Sequence, residues 1–308
     1  MPKSNQLGFR LKAWISASRP RTLFLAFSVA LCGNAIAFST GIFNVLVFIL
    51  TSLLTLALQL LSNLSNDLGD FEHGTDITGN RIGPQRALQS KAITAKAMKR
   101  AIYLCSLLCA AIGISLLYHA LQFISIFYII ILTGIGIACI FAAIKYTSGK
   151  NPYGYKGWGD FFSFLFFGPV AIIGTYFLHT GNIDFIPVLP SIALGLLTAS
   201  VLNINNMRDM ENDEQSGKIT IPVRIGLQNA KHYHGLLNFA AFFCLVTYSV
   251  LYANYYYQTI YLVIFLFFFR INYKIYNTAE KKDLDPYLKQ TALTTFLLSL
   301  LFSICINL

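Results

Sequence analysis

The sequence is short of charge. Asp, Glu, Lys and Arg make up 12% of its 308 residues, against ~25% in a soluble protein. That excludes a surface built to face water. Cysteine is sparse and unpatterned: Cys32, Cys105, Cys109, Cys139, Cys244 and Cys305 all fall inside apolar runs, and no C-x-x-C pair occurs. Cys105 and Cys109 make a plain helical step, so these residues read as small buried side chains, and neither a thiolate metal site nor a disulfide scaffold is expected. Alternating apolar and polar strand patterns are missing, which removes a transmembrane β-barrel. With no soluble domain to carry it, the net charge of +10 does not imply nucleic-acid binding, and no nucleic-acid partner is expected.

What is abundant is hydrocarbon, at 56% of residues. Nine runs approach the ~20 residues a helix needs to cross a bilayer: near 22–39, 44–66, 99–118, 123–144, 160–178, 186–208, 233–252, 258–276 and 290–307. The expectation is therefore an all-α integral membrane protein of nine transmembrane helices, embedded in a lipid bilayer. Residues 22–39 are read as a retained span and not as a cleaved signal, because a short loop leads straight into the next span. All 23 Lys and Arg fall in five segments, 3–21, 81–100, 145–156, 208–231 and 270–289. The other connections have none. With nine spans those five lie on one side, which the positive-inside rule makes cytoplasmic. The N-terminus is expected inside, the C-terminus on the opposite side, and the cell (inner) membrane is the expected location.

The acids are as uneven as the bases. Eight of the 13 are Asp67, Asp70, Glu72, Asp76, Asp209, Glu211, Asp213 and Glu214. The stretches NLSNDLGDFEHGTD (63–76) and NINNMRDMENDEQSG (203–217) both open on Asn-x-x-Asn at the end of a span and place carboxylates a turn later. Asn66 and Asp70 are four apart; Asn206, Asp209 and Asp213 step by three and four, which puts each set on one helical face. The copies sit on the second and sixth helices. This suggests one polytopic domain over 1–308, with four-helix repeats at about 10–145 and 150–280 and a ninth helix at 290–307. Carboxylates at helix C-termini meet the negative end of the dipole and each other, so a cation is expected. Oxygen donors without His or Cys at ligand spacing suit Mg²⁺, which prefers a few carboxylates together with phosphate oxygens. Two facing clusters would then hold a diphosphate. The competing readings are solvated loop acids, which do not call for matching Asn pairs, and a Ca²⁺ loop at 67–76, whose spacing does not fit.

Basic residues follow each cluster: Arg81 and Arg86 after the first, with Gly79, Gly83 and Pro84 bending the chain, Lys218 and Arg224 after the second, and Lys145 at the end of the fourth helix. Arg81, Arg86, Lys145 and Lys218 are the expected diphosphate partners. Each also serves as ordinary positive-inside charge. Arg19 and Arg21 stand at the mouth of the first helix, where Pro20 suits a helix start. His73, His232 and His234 read as ordinary loop residues.

At these residues the chain resembles the UbiA superfamily of membrane prenyltransferases, and within it the branch that prenylates 1,4-dihydroxy-2-naphthoate for menaquinone. The similar segments are SRPRTL (18–23), NLSNDLGDFEHGTD (63–76), GPQRALQS (83–90), YTSGKNPYGYKGWGDFFSFLFFG (146–168) and NINNMRDMENDEQSGKITIPVRIG (203–226). The resemblance implies nine helices ringed around a central cavity under an acidic, metal-lined cytoplasmic cap. It implies Mg²⁺ as cofactor, held by Asn66, Asp70, Asp209 and Asp213, with Asp76 standing for the displaced third carboxylate and Asn206 where relatives often carry Asp. It implies polyprenyl diphosphate and 1,4-dihydroxy-2-naphthoate as substrates, with Asp67, Asp70, Asp209 and Asp213 as the catalytic acids. Arg19, Asn63, Tyr146 and Tyr153 are expected near the naphthoate. The aromatic faces of Tyr146, Tyr153, Tyr155 and Trp158 would stabilise an allylic cation. Another aromatic acceptor, such as 4-hydroxybenzoate or homogentisate, is the alternative enzyme reading, and a secondary transporter is the alternative class. Transporters place acids near the midplane on broken helices, whereas these acids lie at helix ends.

Overall fold

A computed structural model describes residues 3–75 and 86–308. Asp76, Gly79, Arg81, Gly83 and Pro84 thus lie outside the described residues. After a short helix at Lys3–Ser18, nine helices long and apolar enough to cross a membrane follow among the described residues: Pro20–Ser39, Val45–Glu72, Ala95–Ala120, Ile126–Lys145, Gly159–Thr180, Val188–Arg208, Leu227–Tyr252, Tyr256–Asn277 and Lys281–Cys305. They are called the first to ninth spans below. The number and order agree with the apolar runs.

Local signals set several ends. The Asn44 side chain accepts from the backbone N–H groups of Leu46 and Val47 and so caps the second span; Thr94 caps the third through Ala97 N–H. Both satisfy donors that a helix start leaves open. Several spans begin earlier than hydropathy alone indicates, the ninth at Lys281 and not near 290. The seventh starts at Leu227, because Lys231 donates to the carbonyls of Tyr276 and Thr278 at 3.2 and 2.6 Å, and His234 meets the Ser200 carbonyl at 3.2 Å. His234 is fully buried within that helix and is not the loop residue the sequence suggested. The fifth span is less regular than its apolar run implies: a π-turn over Phe166–Val170 contains Pro169.

The first and sixth spans are the most enclosed, and the fourth the least. The first packs on the second, fifth and ninth; the sixth on the fifth, seventh and ninth; the second and third pair closely. Two crossings depend on glycine. At Gly195 a Cβ would lie 2.7 Å from the Phe164 carbonyl oxygen, so only hydrogen lets the fifth and sixth spans approach. At Gly69 it would lie 2.4 Å from the Thr147 carbonyl oxygen. There the segment after the fourth span docks on the second, with the Thr147 and Ser148 hydroxyls donating to the Ser65 carbonyl at 3.2 and 3.1 Å.

Large apolar side chains such as Ile114, Ile130, Leu236 and Val250 are widely exposed on the bundle's outside, as expected of a surface facing lipid. Polar groups at the end of the bundle remote from the acids are tied together. Asn44 N–H donates to His179 Nδ1 at 3.1 Å, which leaves Nε2–H to donate to Asn34 Oδ1 at 2.6 Å. Such closure is what a low-dielectric interior requires of buried polar atoms.

The Gly69 contact yields a direct expectation. Gly69→Ala should lower stability by about 2 kcal/mol, the usual cost of overpacking, seen as a lower unfolding temperature in detergent. An unchanged unfolding temperature would mean the docked segment yields freely.

Candidate active site

The second span runs past the expected boundary to Glu72, carrying Asn63, Asn66, Asp67 and Asp70 on one continuous helix. Asp67 and Asp70 are each 2% exposed. Two buried carboxylates one turn apart need cations, and both are supplied by distant segments. Arg86 meets Asp70 at 2.5 Å and Asp67 at 3.6 Å and donates to the Asn66 carbonyl at 3.0 Å. Arg19 meets Asp67 at 2.6 Å. Arg19 adopts a left-handed backbone (φ 48°, ψ 69°) between the N-terminal helix and the first span. That conformation costs a non-glycine residue about 1–2 kcal/mol, and such strain clusters at functional sites. Here it accompanies an ion pair to a buried acid.

Tyr155 caps this group. Its hydroxyl donates to Asp70 at 3.0 Å and lies 2.6 Å from the Thr75 hydroxyl. Burial, and then the charge of Asp70, push its phenol above the ordinary range. The Tyr155 carbonyl receives Ile219 N–H at 2.9 Å, and the Lys218 ammonium sits 5.9 Å from its ring centre. Tyr155 therefore links the first acidic cluster to the loop after the second. Asn212 adds a second link by donating to the Thr75 carbonyl at 3.1 Å.

The second cluster bends where the sequence implied one helix: the sixth span stops at Arg208, and a short helix resumes at Met210–Gln215. Asp213 N–H still donates to the Asp209 carbonyl at 2.8 Å, so the helical step between the two acids survives the break. Arg208 is 1% exposed and grips Asp209 with two bonds, at 2.8 and 2.6 Å; it also reaches Asn205 and Asp285. Lys218 donates to Asp213 at 3.2 Å. Burial above all raises the Asp213 carboxyl to about 6; Lys218 pulls against that, while Asp209 and Asp70 add to it. Burial disfavours the Lys218 ammonium, yet Asp213 and Asp70 outweigh it and move its pKa up. Asp70, Asp213 and Lys218 thus share one electrostatic neighbourhood although they come from different halves of the chain.

A cavity of about 1350 Å³ runs from this group into the bundle, lined at its head by Arg19, Asn66, Asp70, Arg86 and Lys218. Asn63, Asp67, Tyr146 and Tyr153 also line it. Asn206, Asp209 and Asp213 do not; from the second cluster the lining residues are Asn205, Arg208 and Lys218. Arg208 and Asn205 were missed in the sequence, where Arg208 reads as positive-inside charge. Of Lys145, Tyr153 and Asn63, only Lys145 lies away from the cavity, while Tyr153 and Asn63 line it with their polar groups engaged by neighbours. Lys145 is exposed, its ammonium against Gly149, and it does not line the cavity; the helix end turns it outward. The Tyr153 hydroxyl is committed to the Ala142 carbonyl at 2.9 Å, although the residue lines the cavity. Asn63 is engaged on both sides, donating to Ser18 O and Thr22 Oγ1 and accepting from Gln59. It ties the second span to the start of the first.

The orphaned oxygens of the site bear on Mg²⁺ binding. Asn66 Oδ1, Asn206 Oδ1 and Asp213 Oδ2 are buried without a hydrogen-bond partner among the described residues. Unpartnered buried acceptors are costly and rare, and these three are hard oxygens drawn from both clusters, which fits Mg²⁺. Two of the three are amide oxygens, on Asn66 and Asn206.

Among the described residues, nine spans around an apolar cavity with an ion-paired polar head define a class, and comparison agrees: residues 26–303 match the UbiA prenyltransferase family, and the chain belongs to it. It is 37% identical to the 1,4-dihydroxy-2-naphthoate octaprenyltransferase of Haemophilus influenzae over 99% of this chain and 98% of that one. It is 40% identical to the protein of the same name from Escherichia coli over 78% and 77%. Among solved structures, an Aeropyrum pernix UbiA homologue superposes with a TM-score of 0.66 at 14% identity, covering 92% of this chain and 96% of that one. An Archaeoglobus fulgidus UbiA homologue solved with DMAPP and Mg²⁺ gives 0.60 at 17% identity, covering 95% and 99%.

The site makes a stability prediction. Arg86→Ala leaves Asp67 and Asp70 under-neutralised and should cost about 3 kcal/mol, the penalty of breaking a buried pair. Lys145→Ala should stay within about 0.5 kcal/mol, as surface changes do. Thermal unfolding without divalent ions measures both, and similar losses for the two would contradict the geometry.

Proposed function

We propose that this chain transfers a polyprenyl group from polyprenyl diphosphate to 1,4-dihydroxy-2-naphthoate, releasing diphosphate and CO2 and forming demethylmenaquinol for menaquinone. The carrying observation is the meeting of Asn66, Asp67, Asp70 and Arg86 from the first half of the chain with Asn205, Arg208 and Lys218 from the second at the head of one apolar cavity. The relatives named for this reaction, one of them aligned along nearly the whole chain, support it.

In this reading the diphosphate lies at the cavity head beside Arg86 and Lys218, with Arg81 as a further partner. As the allylic C–O bond breaks, the electron pair leaves with the diphosphate, and these cations stabilise the growing charge. Asn66, Asp70, Asn206, Asp209 and Asp213 are the proposed holders of Mg²⁺, with Asp76 in addition. When bound, the ion supplies Lewis-acid neutralisation of the leaving group. The allylic carbon becomes cationic among apolar and aromatic walls that keep water away. Tyr146 is half-buried, and desolvation, then Asp160, Asp70 and Asp213, hold its phenol above its ordinary pKa; a neutral ring face suits a cation. The naphthoate carbon that bears the carboxylate attacks, forming the C–C bond. Breaking of the C–CO2 bond returns its electrons to the ring and gives the quinol. Arg19, which already faces a carboxylate in Asp67, is the proposed partner of the acceptor's carboxylate.

The clustered Lys and Arg support a cytoplasmic N-terminus and cap, with the C-terminus opposite, in the inner membrane of a bacterium. Purified protein in lipid with dihydroxynaphthoate and octaprenyl diphosphate should give demethylmenaquinol. Chelation of divalent ions, or Asp70→Ala, should lower kcat/KM by about a hundredfold or more. Full turnover in chelator, or equal use of 4-hydroxybenzoate, would reject the reading.

A further inference from the structure

The start of the ninth span reaches across the break in the sixth. Asp285 opens the regular α-helix of the ninth span, just ahead of Pro286. Its carboxylate meets Arg208 and, more loosely, Arg21 at 3.4 Å. Four residues earlier, Lys281 meets Glu211 at 2.8 Å. Arg208 ends the sixth span, and Glu211 lies in the short helix after the break. The two ion pairs therefore hold the chain on either side of Asp209 to the ninth span. Leu284 and Leu288 share one buried apolar cluster with Ile204 and Met207 of the sixth span, which fixes where that hold falls.

Arg208 stands between two acids. Toward Asp209 it presents Nε, to Oδ1 at 2.8 Å, and Nη2, to Oδ2 at 2.6 Å, so one guanidinium engages both carboxylate oxygens. This is the planar fork that suits a carboxylate. Nη1 turns the other way, to Asp285. Arg208 lines the cavity and Asp209 does not, so the wall here is the guanidinium and not the acid it holds. A guanidinium and a divalent ion compete for the same carboxylate oxygens. How firmly Arg208 keeps Asp209 depends on what else can neutralise Arg208.

We propose that Asp285 is a positioning residue for the cation site: acting through Arg208, it draws the guanidinium off Asp209 and so sets how readily Asp209 accepts a divalent ion. The inference rests on the proposed role of Asp209 in holding Mg²⁺ and deepens it. With Asp285 in place, the charge of Arg208 has a second anion, and Asp209 can turn to a metal without leaving that charge alone. Without Asp285, a cation that is 1% exposed depends on Asp209, and giving Asp209 to a metal would strand a buried charge, which is costly. The ninth span, which carries none of the proposed metal ligands, thereby enters the metal site from behind.

The test measures Mn²⁺ binding by electron paramagnetic resonance on the full chain in lipid, with inorganic diphosphate present, so that no turnover is needed. Asp285→Asn should weaken Mn²⁺ binding about tenfold; an unchanged affinity overturns the proposal. Lys281→Ala breaks the neighbouring ion pair and spares Arg208, and should leave the affinity within about twofold. A loss equal to that of Asp285→Asn would mean that the start of the ninth span only holds the fold together, and overturns the proposal. In a second arm Asp285→Asn is made in an Arg208→Gln background, where it should change the affinity by less than about twofold. An undiminished effect there would mean that Asp285 acts by its own charge and not through Arg208, and overturns the proposal. Should Arg208→Gln not fold, the comparison of Asp285→Asn with Lys281→Ala still decides. Failure of the underlying reading is distinguishable: the unmodified chain would then bind no Mn²⁺, whereas a chain that binds Mn²⁺ and ignores Asp285 fails the positioning role alone.

Discussion

Buried charge at the end of an apolar bundle is the constraint on which this structure turns. Asp67, Asp70 and Asp213 are removed from water, the first two with cations from other segments of the chain and the third with Lys218 five residues on. An isolated carboxylate in such a medium is too costly to keep ionised. The fold therefore has to bring Arg19, Arg86, Lys218 and Arg208 to the acids, and the loops that carry them become part of the site. Tyr155 and Asn212 then fasten the two acidic segments to each other. The pairing is incomplete by design of the donor set: amide and carboxylate oxygens on Asn66, Asn206 and Asp213 are left over among the described residues, and leftover hard oxygens are what a divalent ion and a diphosphate together would use.

The same constraint separates the two ends of the cavity. Charge is confined to one end, and the remainder is hydrocarbon, with polar atoms closed off in pairs such as His179 with Asn34. A substrate with one anionic head and a long apolar tail is matched by that division without any further specificity device. In the proposed reaction the apolar part serves twice, holding the tail and keeping water from a cation.

Much of this was legible before any coordinates. Apolar runs of the right length specify the nine spans found among the described residues, because a bilayer imposes length. The repeat of Asn-x-x-Asn with trailing acids marked the site, because helical spacing puts those residues on one face. What was not legible depended on tertiary contacts. Spacing could not choose between Asn205 and Asn206 as the cavity-facing amide. Arg208 looked like surface charge, since nothing local shows that Asp209 and Asp285 will surround it. Lys145 looked like a site residue, since its position at a helix end does not reveal which way the side chain turns. The π-turn in the fifth span left no trace in hydropathy, because it shifts hydrogen bonds and not composition.

The central claim is that acids from both halves act on one diphosphate. A double-mutant cycle on inorganic diphosphate binding in the presence of Mg²⁺ measures this directly, using Asp70→Asn, Asp213→Asn and the pair. If both carboxylates serve the same ligand, the losses will be non-additive, with a coupling of about 1 kcal/mol or more. Losses that add to within about 0.5 kcal/mol would mean two independent sites and would contradict the account.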